Sequence, residues 1–242
     1  MIKDSIAVSY TNEKLRDKAI RLANKHSLPL DDEHKISLLV SEERLSLKIK
    51  GFSPLYADFN LPFWQKRCLE GKRRALVRAC KPKPGMHIID TTAGWGQDAA
   101  LLACFGAEVL MLERHPVMAA LLEDALQRQD EKSQASLRLA LLPVDARDYL
   151  FSLKKSDFPD VIYIDPMHPI RQKSALVKKN MQALQQFIGT DEDALELLRI
   201  ARKKVKQRVV VKWPQKQAGL LPADASIEGK TVRFDLYFPE QA

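Results

Sequence analysis

The chain has 242 residues, enough for one large domain or a core domain with a smaller addition. Hydrophobic residues at 45% supply a core and exclude a disordered or low-complexity protein, and no apolar run is long enough to span a bilayer. Net charge is +8, from 39 Lys+Arg against 31 Asp+Glu, an excess modest in size but uneven in placement.

Residues 1–50 read as a small α+β unit. The N-terminus lacks the basic-then-apolar pattern of a signal peptide. Ser5–Ser9 alternates like a short strand, and Asn12 is placed to cap a helix over Glu13–His26, whose Leu15, Ala19, Ile20, Leu22 and Ala23 form an apolar stripe. Leu28-Pro29-Leu30 breaks that helix. Ile36–Val40 and Leu45–Ile49 read as a hairpin joined by the polar turn Ser41–Arg44. The expected organisation is an N-terminal α+β appendage, residues 1–60, ahead of a main domain, residues 61–242.

Residues 52–86 read as a connector followed by a helix. Pro54 and Pro62 argue against regular structure near them, and Arg73–Cys80 carries the helical pattern. Phe52, Tyr56, Phe59, Phe63 and Trp64 either pack the appendage on the core or, beside basic residues, stack unpaired bases. Lys66, Arg67, Lys72, Arg73, Arg74, Arg78, Lys81 and Lys83 crowd this segment. Two further clusters follow: Arg171, Lys173, Lys178 and Lys179, then Arg202, Lys203, Lys204, Lys206 and Arg208. Each alone reads as a solvated helix face; together, flanking a candidate site, they favour a polyanionic partner, nucleic acid foremost. Cys68, Cys80 and Cys104 have no C-x-x-C spacing, which suggests a reduced, cytoplasmic protein without a zinc site.

His87–Gly96, H-I-I-D-T-T-A-G-W-G, reads as buried strand, tight turn and the start of a helix over Asp98–Phe105, the first unit of an open α/β sheet. Ligands of such sheets bind beyond the strands' carboxyl ends, which aims Asp90 and the turn at a site. Gly94 and Gly96 permit positive φ and close approach of a ligand to the backbone. Ala99 occupies the third glycine position of the dinucleotide fingerprint, which weakens a nicotinamide reading. The acid followed by A-G-x-G resembles instead the first motif of S-adenosylmethionine-dependent methyltransferases.

The α/β rhythm continues. Glu108–Leu112 is a second strand ending at Glu113, a carboxylate about 20 residues after the turn, with two acceptor oxygens for two ribose hydroxyls. Arg114-His115-Pro116 opens a helix, with Pro116 in its first turn. Leu137–Val144 is a third strand, with Asp145-Ala146 at its end; Asp145 suits an adenine amine, and Asp148 is a rival. Val161–Ile164 is a fourth strand that runs into Asp165-Pro166-Met167-His168-Pro169. That loop resembles the [D/N]-P-P-[Y/F/W] motif of nitrogen-directed methyltransferases. An aryl amine is a poor nucleophile because its lone pair is delocalised. Acceptors on Asp165 and on the Pro166 carbonyl orient that lone pair, and a planar His168 stacks on the flipped base. Arg208–Trp213 and Ser226–Phe238 read as a fifth strand and a terminal hairpin, with Lys212 facing substrate, cofactor or solvent.

The blocks D-T-T-A-G-W-G-Q-D-A, M-L-E-R-H-P-V-x-A-A-L-L, Y-I-D-P-M-H-P, Q-K-S-A-L-V-K-K and V-V-V-K-W-P lie in order across residues 87–214 and resemble the bacterial RsmJ family. The resemblance implies a class I, Rossmann-like methyltransferase that uses S-adenosylmethionine to methylate N2 of a guanosine in 16S ribosomal RNA of the 30S subunit, with no metal or membrane involved. By position it implies cofactor contacts at Gln97, Asp98, Glu113, Arg114, Asp145, Ala146 and Asp165, beside Asp90, Gly94 and Gly96. It assigns the catalytic loop to Asp165, Pro166 and His168. Lys173, Lys178 and Lys179 are placed to hold phosphates, contacts that position rather than specify. The chain departs from the family at Gln97, where Arg is usual, at His168, where Phe is usual, and at Asp145-Ala146, where small hydroxyl residues are common.

Overall fold

The computed structural model describes residues 6–71, 74–167 and 193–240. Two sheets organise them. A three-stranded sheet, order β1-β2-β3, comprises β1 (Ala7–Tyr10), β2 (Ile36–Val40) and β3 (Leu45–Ile49), with α1 (Arg16–His26) packed on it. β1 runs parallel to β2, and β2 and β3 form the expected hairpin. A 3-10 turn, Glu13–Leu15, precedes α1. The Asn12 side chain makes no cap there; its amide donates to Glu42 instead.

The chain then enters α2 (Leu61–Gly71) and α3 (Ala75–Cys80). The first corrects the expectation of an irregular connector. Pro62 is the second residue of α2, where an absent N–H leaves no intrahelical bond unmade, so the proline starts the helix rather than breaking it. Phe59 and Trp64 are fully buried, and the Trp64 indole donates to the Asp58 carbonyl, so these two aromatics pack the core. Tyr56 stays half exposed under the Arg44 guanidinium, 4.2 Å from its ring centre. A disulfide joins Cys68 of α2 to Cys104, against the expectation of unpaired thiols; the two are 36 residues apart in the chain, with no spacing to signal them.

The main sheet has seven strands: β4 (His87–Asp90), β5 (Glu108–Leu112), β6 (Leu139–Leu142), β7 (Val161–Ile164), β8 (Arg208–Pro214), β9 (Ala225–Glu228) and β10 (Val232–Tyr237). Their order is β6-β5-β4-β7-β8-β10-β9, parallel through β8 and antiparallel at β10 and β9. The helices are α4 (Gln97–Ala103), α5 (Pro116–Gln127), α6 (Glu131–Ser136), α7 (Ala146–Ser152) and α8 (Ala194–Lys203). This is the Rossmann-like class I architecture. The third strand, Leu139–Leu142, is shorter than the expected Leu137–Val144, and Asp130 caps the short helix α6 ahead of it through the Ser133 amide.

Strand alternation sorts the core. Ile88, Tyr163, Val210 and the apolar side of α4 form one cluster; Ile89, Ile162, Ile164, Val209 and Val211 form another with α7 and α8. A third cluster joins the small sheet to Val117, Met118, Ala120 and Leu121 of α5. The connections through α4 and α5 lead away from β4 on one side and return to β7 on the other. The topological switch point therefore lies between the carboxyl ends of β4 and β7. Among the described residues, no helix is long and apolar enough to cross a membrane.

Candidate active site

Asp90 ends β4 and Asp165 follows β7, so both stand at the switch point. The turn between β4 and α4 is tied down on both sides. The Thr91 N–H and hydroxyl both donate to the Tyr163 carbonyl, Thr92 N–H donates to Asp90 Oδ1, and Asp165 N–H donates to Thr92 Oγ1 at 2.7 Å. A cleft of about 410 Å³ opens here, a volume suited to a nucleoside-sized ligand. Gly94, Glu113, Arg114, Asp145, Ala146, Asp165 and Pro166 all line it, so the structure brings these seven expected residues together.

The two glycines have different reasons to be there. Gly94 lines the cleft at φ +53°, and a Cβ placed on it would meet nothing nearer than Thr92 O at 3.9 Å, so the backbone is open to a ligand. Gly96 does not line the cleft. A Cβ there would lie 2.5 Å from Phe59 Cζ and 3.0 Å from Leu122 Cδ2, so packing against these two side chains is a reason of its own for a glycine at this position.

Glu113 is buried at the end of β5, its oxygens accepting from Gly94 N–H at 2.9 Å and His115 N–H at 2.7 Å. Each carboxylate oxygen has a second lone pair, so the same group that shapes the turn retains acceptor capacity toward a ribose. Asp145 caps α7 through Arg147 N–H and is gripped by the Arg147 guanidinium at 3.1 Å on each oxygen. The Arg147 hydrogen bond, opposed by partial burial, holds the Asp145 carboxyl below its ordinary range. An adenine amine would therefore compete with a bidentate ion pair. Asp148, the rival, is exposed on α7 and off the cleft. Arg114 reaches Asp193 at 2.6 Å and Asp145 at 3.5 Å, and Arg147 reaches Asp193 at 3.3 Å, so the cleft mouth carries a charge network.

Asp90 is fully buried behind the turn. Burial pushes its carboxyl up to about 8; the Thr92 N–H opposes this, and the Asp98, Asp165 and Glu113 carboxylates reinforce it. Gln97 and Asp98 begin α4 and lie off the cleft. Asp98 instead accepts from the Tyr163 hydroxyl at 2.7 Å and from Lys212 Nζ at 3.2 Å, and Lys212 also donates to Asp165 Oδ2 at 2.7 Å. Burial alone would lower the Lys212 ammonium, but the Asp165 and Asp98 charges and their hydrogen bonds reverse the sign and raise it. Lys212, whose orientation the sequence leaves open, thus points at the candidate catalytic acid. Tyr163 was not singled out by sequence; its signal was a hydroxyl inside the apolar strand V-I-Y-I, since a buried phenol needs a partner. His168, Lys173, Lys178, Lys179 and Arg171 lie outside the described residues, as do Lys72 and Arg73.

A larger cavity of about 800 Å³ opens at the opposite end of the sheet, beside His87, Glu108, Arg138 and Lys206, and holds none of the candidate residues.

Comparison with known proteins agrees with this geometry. Residues 21–239 match the family model described as "Putative SAM-dependent methyltransferase". The chain is 59% identical over 234 residues to a protein of Legionella pneumophila (strain Lens) named ribosomal RNA small subunit methyltransferase J, covering 97% of this chain and 96% of that one. A protein of the same name from Coxiella burnetii (strain Dugway 5J108-111) is 44% identical over 250 residues, covering 98% of each. Among solved structures, a SAM-dependent methyltransferase from Neisseria gonorrhoeae is similar with a TM-score of 0.71 at 26% identity, covering 98% of this chain and 97% of that one.

Proposed function

The chain belongs to the ribosomal RNA small subunit methyltransferase J family of S-adenosylmethionine-dependent methyltransferases, and from that premise we propose that it methylates the exocyclic N2 of a guanosine in 16S ribosomal RNA of the small subunit, in the cytoplasm. The observation that carries this reading is the position of Asp165. It lines the same cleft as Gly94 and Glu113, with its backbone pinned by Thr92 and its carboxylate by Lys212.

The residues present fit the cofactor. Gly94 offers backbone without a Cβ, Glu113 offers acceptors for ribose hydroxyls, and the cleft has nucleoside size. S-adenosylmethionine supplies a methyl group on a sulfonium, an electrophile that needs only an aligned lone pair. Asp165 and the Pro166 carbonyl accept the two N–H groups of the guanine amine and turn its lone pair toward that methyl. Transfer would break the S–CH3 bond, its electron pair staying on sulfur as a neutral thioether, while the N–C bond forms, and the Asp165 carboxylate is placed to take the proton that the cationic amine releases. Rate enhancement then comes mostly from positioning. Flipping the base into the cleft gives access, with His168 as its stacking partner and Lys173, Lys178 and Lys179 on neighbouring phosphates. Residues 1–60 act as an appendage anchored on α5, and residues 61–242 as the transferase domain.

The test is transfer of radiolabel from S-adenosylmethionine to 30S subunits lacking this modification. Label recovered as N2-methylguanosine in 16S RNA supports the reading. Absence of label despite measured cofactor binding overturns the substrate assignment, and naked RNA and DNA are then the substrates to try.

A further inference from the structure

Lys212 is brought to Asp165 by strand register. Ile164 of β7 pairs with Val211 of β8, so the residues that follow, Asp165 and Lys212, lie level. Alternation then fixes their face. Tyr163 and Val210 are register partners in the α4-side cluster, and two residues on, Asp165 and Lys212 share that side. Asp90, two residues after Ile88, points the same way, and Asp98 arrives from the first turn of α4.

The result is an acidic corner. The titratable groups facing the pair are Asp90 from β4, Asp98 from α4 and Tyr163 from β7, and Glu113, just after β5, acts on Asp90. The Tyr163 hydroxyl donates to Asp98 Oδ2, the same oxygen that Lys212 reaches, so the phenol holds Asp98 in place as the second anchor of the ammonium. A carboxylate beside other carboxylates favours its protonated form unless a cation offsets them. A protonated Asp165 would lose an acceptor for the amine and could not take its proton.

We propose that Lys212 is a positioning residue for methyl transfer: its ammonium, bridging Asp165 and Asp98, keeps the Asp165 carboxylate ionised and in one orientation at the cleft. The inference rests on the reading of Asp165 as the acceptor of the amine. Lys212 itself touches neither methyl nor base in this scheme; it acts through Asp165.

The experiment compares wild type with Lys212→Met and Lys212→Arg. Each is measured for cofactor affinity by calorimetry, for single-turnover transfer to 30S subunits against pH, and for titration of the Asp165 carboxyl by ¹³C NMR, assigned with Asp165→Asn. Lys212→Met is expected to bind cofactor as wild type does and to lose about 100-fold in transfer rate, the scale of a misplaced reacting group. Its Asp165 resonance and the acid limb of its rate profile both move to higher pH, and Lys212→Arg restores part of each. An unchanged Asp165 titration, or a loss confined to cofactor affinity, overturns the proposal. If Lys212→Met does not fold, the Lys212 ¹³Cε resonance in wild type decides: it follows Asp165 through its titration, and loss of that step in Asp165→Asn supports the pairing, whereas a resonance indifferent to Asp165 overturns it. The NMR readout needs no RNA, so wild-type failure on 30S subunits counts against the substrate assignment and leaves this test standing.

Discussion

The two faces of the large sheet neutralise their acids differently at the cleft. On the face covered by α7 and α8, Asp145 and Asp193 are each reached by two guanidinium groups, those of Arg114 and Arg147, and Glu196 joins through Arg147. On the α4 face one ammonium, Lys212, is shared by Asp98 and Asp165. The first arrangement is redundant, since either arginine still covers both acids when the other is removed. In the second, one side chain sets the spacing of two carboxylates. Redundancy suits a rim that shapes a binding cleft, and a single shared charge suits a group whose ionisation and angle must be defined.

The largest effect that sharpens this contrast is expected at Asp165. Asp165→Ala should lower single-turnover transfer by about 1000-fold, within the range for losing a group that binds and accepts the reacting proton. Cofactor affinity should change far less. Equal losses in both would move Asp165 from transfer to cofactor binding and dissolve the distinction between the faces.

Next come the two glycines. Gly96→Ala places a methyl against Phe59 and Leu122 at positive φ, and should destabilise the fold by about 3 kcal/mol, overpacking and backbone strain together. Gly94→Ala carries only the backbone strain, about 1 kcal/mol, and its main effect should be on cofactor affinity. Denaturant unfolding and calorimetry on both variants separate the two; a reversed pattern would return Gly96 to the cleft. Glu113→Gln should follow, weakening cofactor binding by about tenfold, since one acceptor oxygen becomes a donor where charge-assisted bonds are made.

These contrasts mark what the sequence displays and what it conceals. The bounds of β2, β3, β5 and β7 match the apolar runs read from the chain, because burial on both faces or strict alternation writes itself into adjacent residues. So does the acid at each strand end. α2 was hidden because Pro62 breaks a helix interior yet begins a helix equally well, and only tertiary packing of Trp64 decides which. The packing reason for Gly96 is hidden in the sequence because Phe59 lies 37 positions earlier. Lys212 stayed undecided because its partner depends on the register between β7 and β8, a relation between strands that no single segment carries.

A smaller prediction concerns Asp90. Its folded-state carboxyl is raised to about 8 from an ordinary 3.8, so the folded chain holds that proton more tightly than the unfolded one, and stability falls as pH rises from about 4 to about 8. His115 acts oppositely. Burial holds its imidazole down to about 4, so stability rises with pH between about 4 and 6.5 and is level above. The window from 6.5 to 8 therefore reports Asp90 alone of these two. Asp90→Asn keeps an oxygen for Thr92 N–H and removes the ionisation, and should gain about 1.5 kcal/mol in stability relative to wild type as pH rises from 6.5 to 8. Urea unfolding at both pH values is the check; a constant gap would mean that Asp90 does not titrate in that window.

The smallest effect is expected where the charges are doubled. Arg147→Met removes the fork on Asp145 but leaves Arg114 within 3.5 Å of the same carboxylate and at 2.6 Å from Asp193. The pair is partly solvent-exposed, so the stability change should stay below about 1 kcal/mol by thermal or urea unfolding. The cofactor measurement tells more. If Asp145 serves chiefly to cap α7 and close the rim, releasing it from Arg147 leaves cofactor affinity within about twofold, a change under half a kcal/mol. If Asp145 is an acceptor held back by Arg147, the freed carboxylate binds more tightly and affinity rises. The double variant Arg114→Met with Arg147→Met then breaks the redundancy itself. A loss well beyond the sum of the singles would show that the two arginines substitute for one another, whereas at Asp98 and Asp165 one ammonium, that of Lys212, bridges both acids.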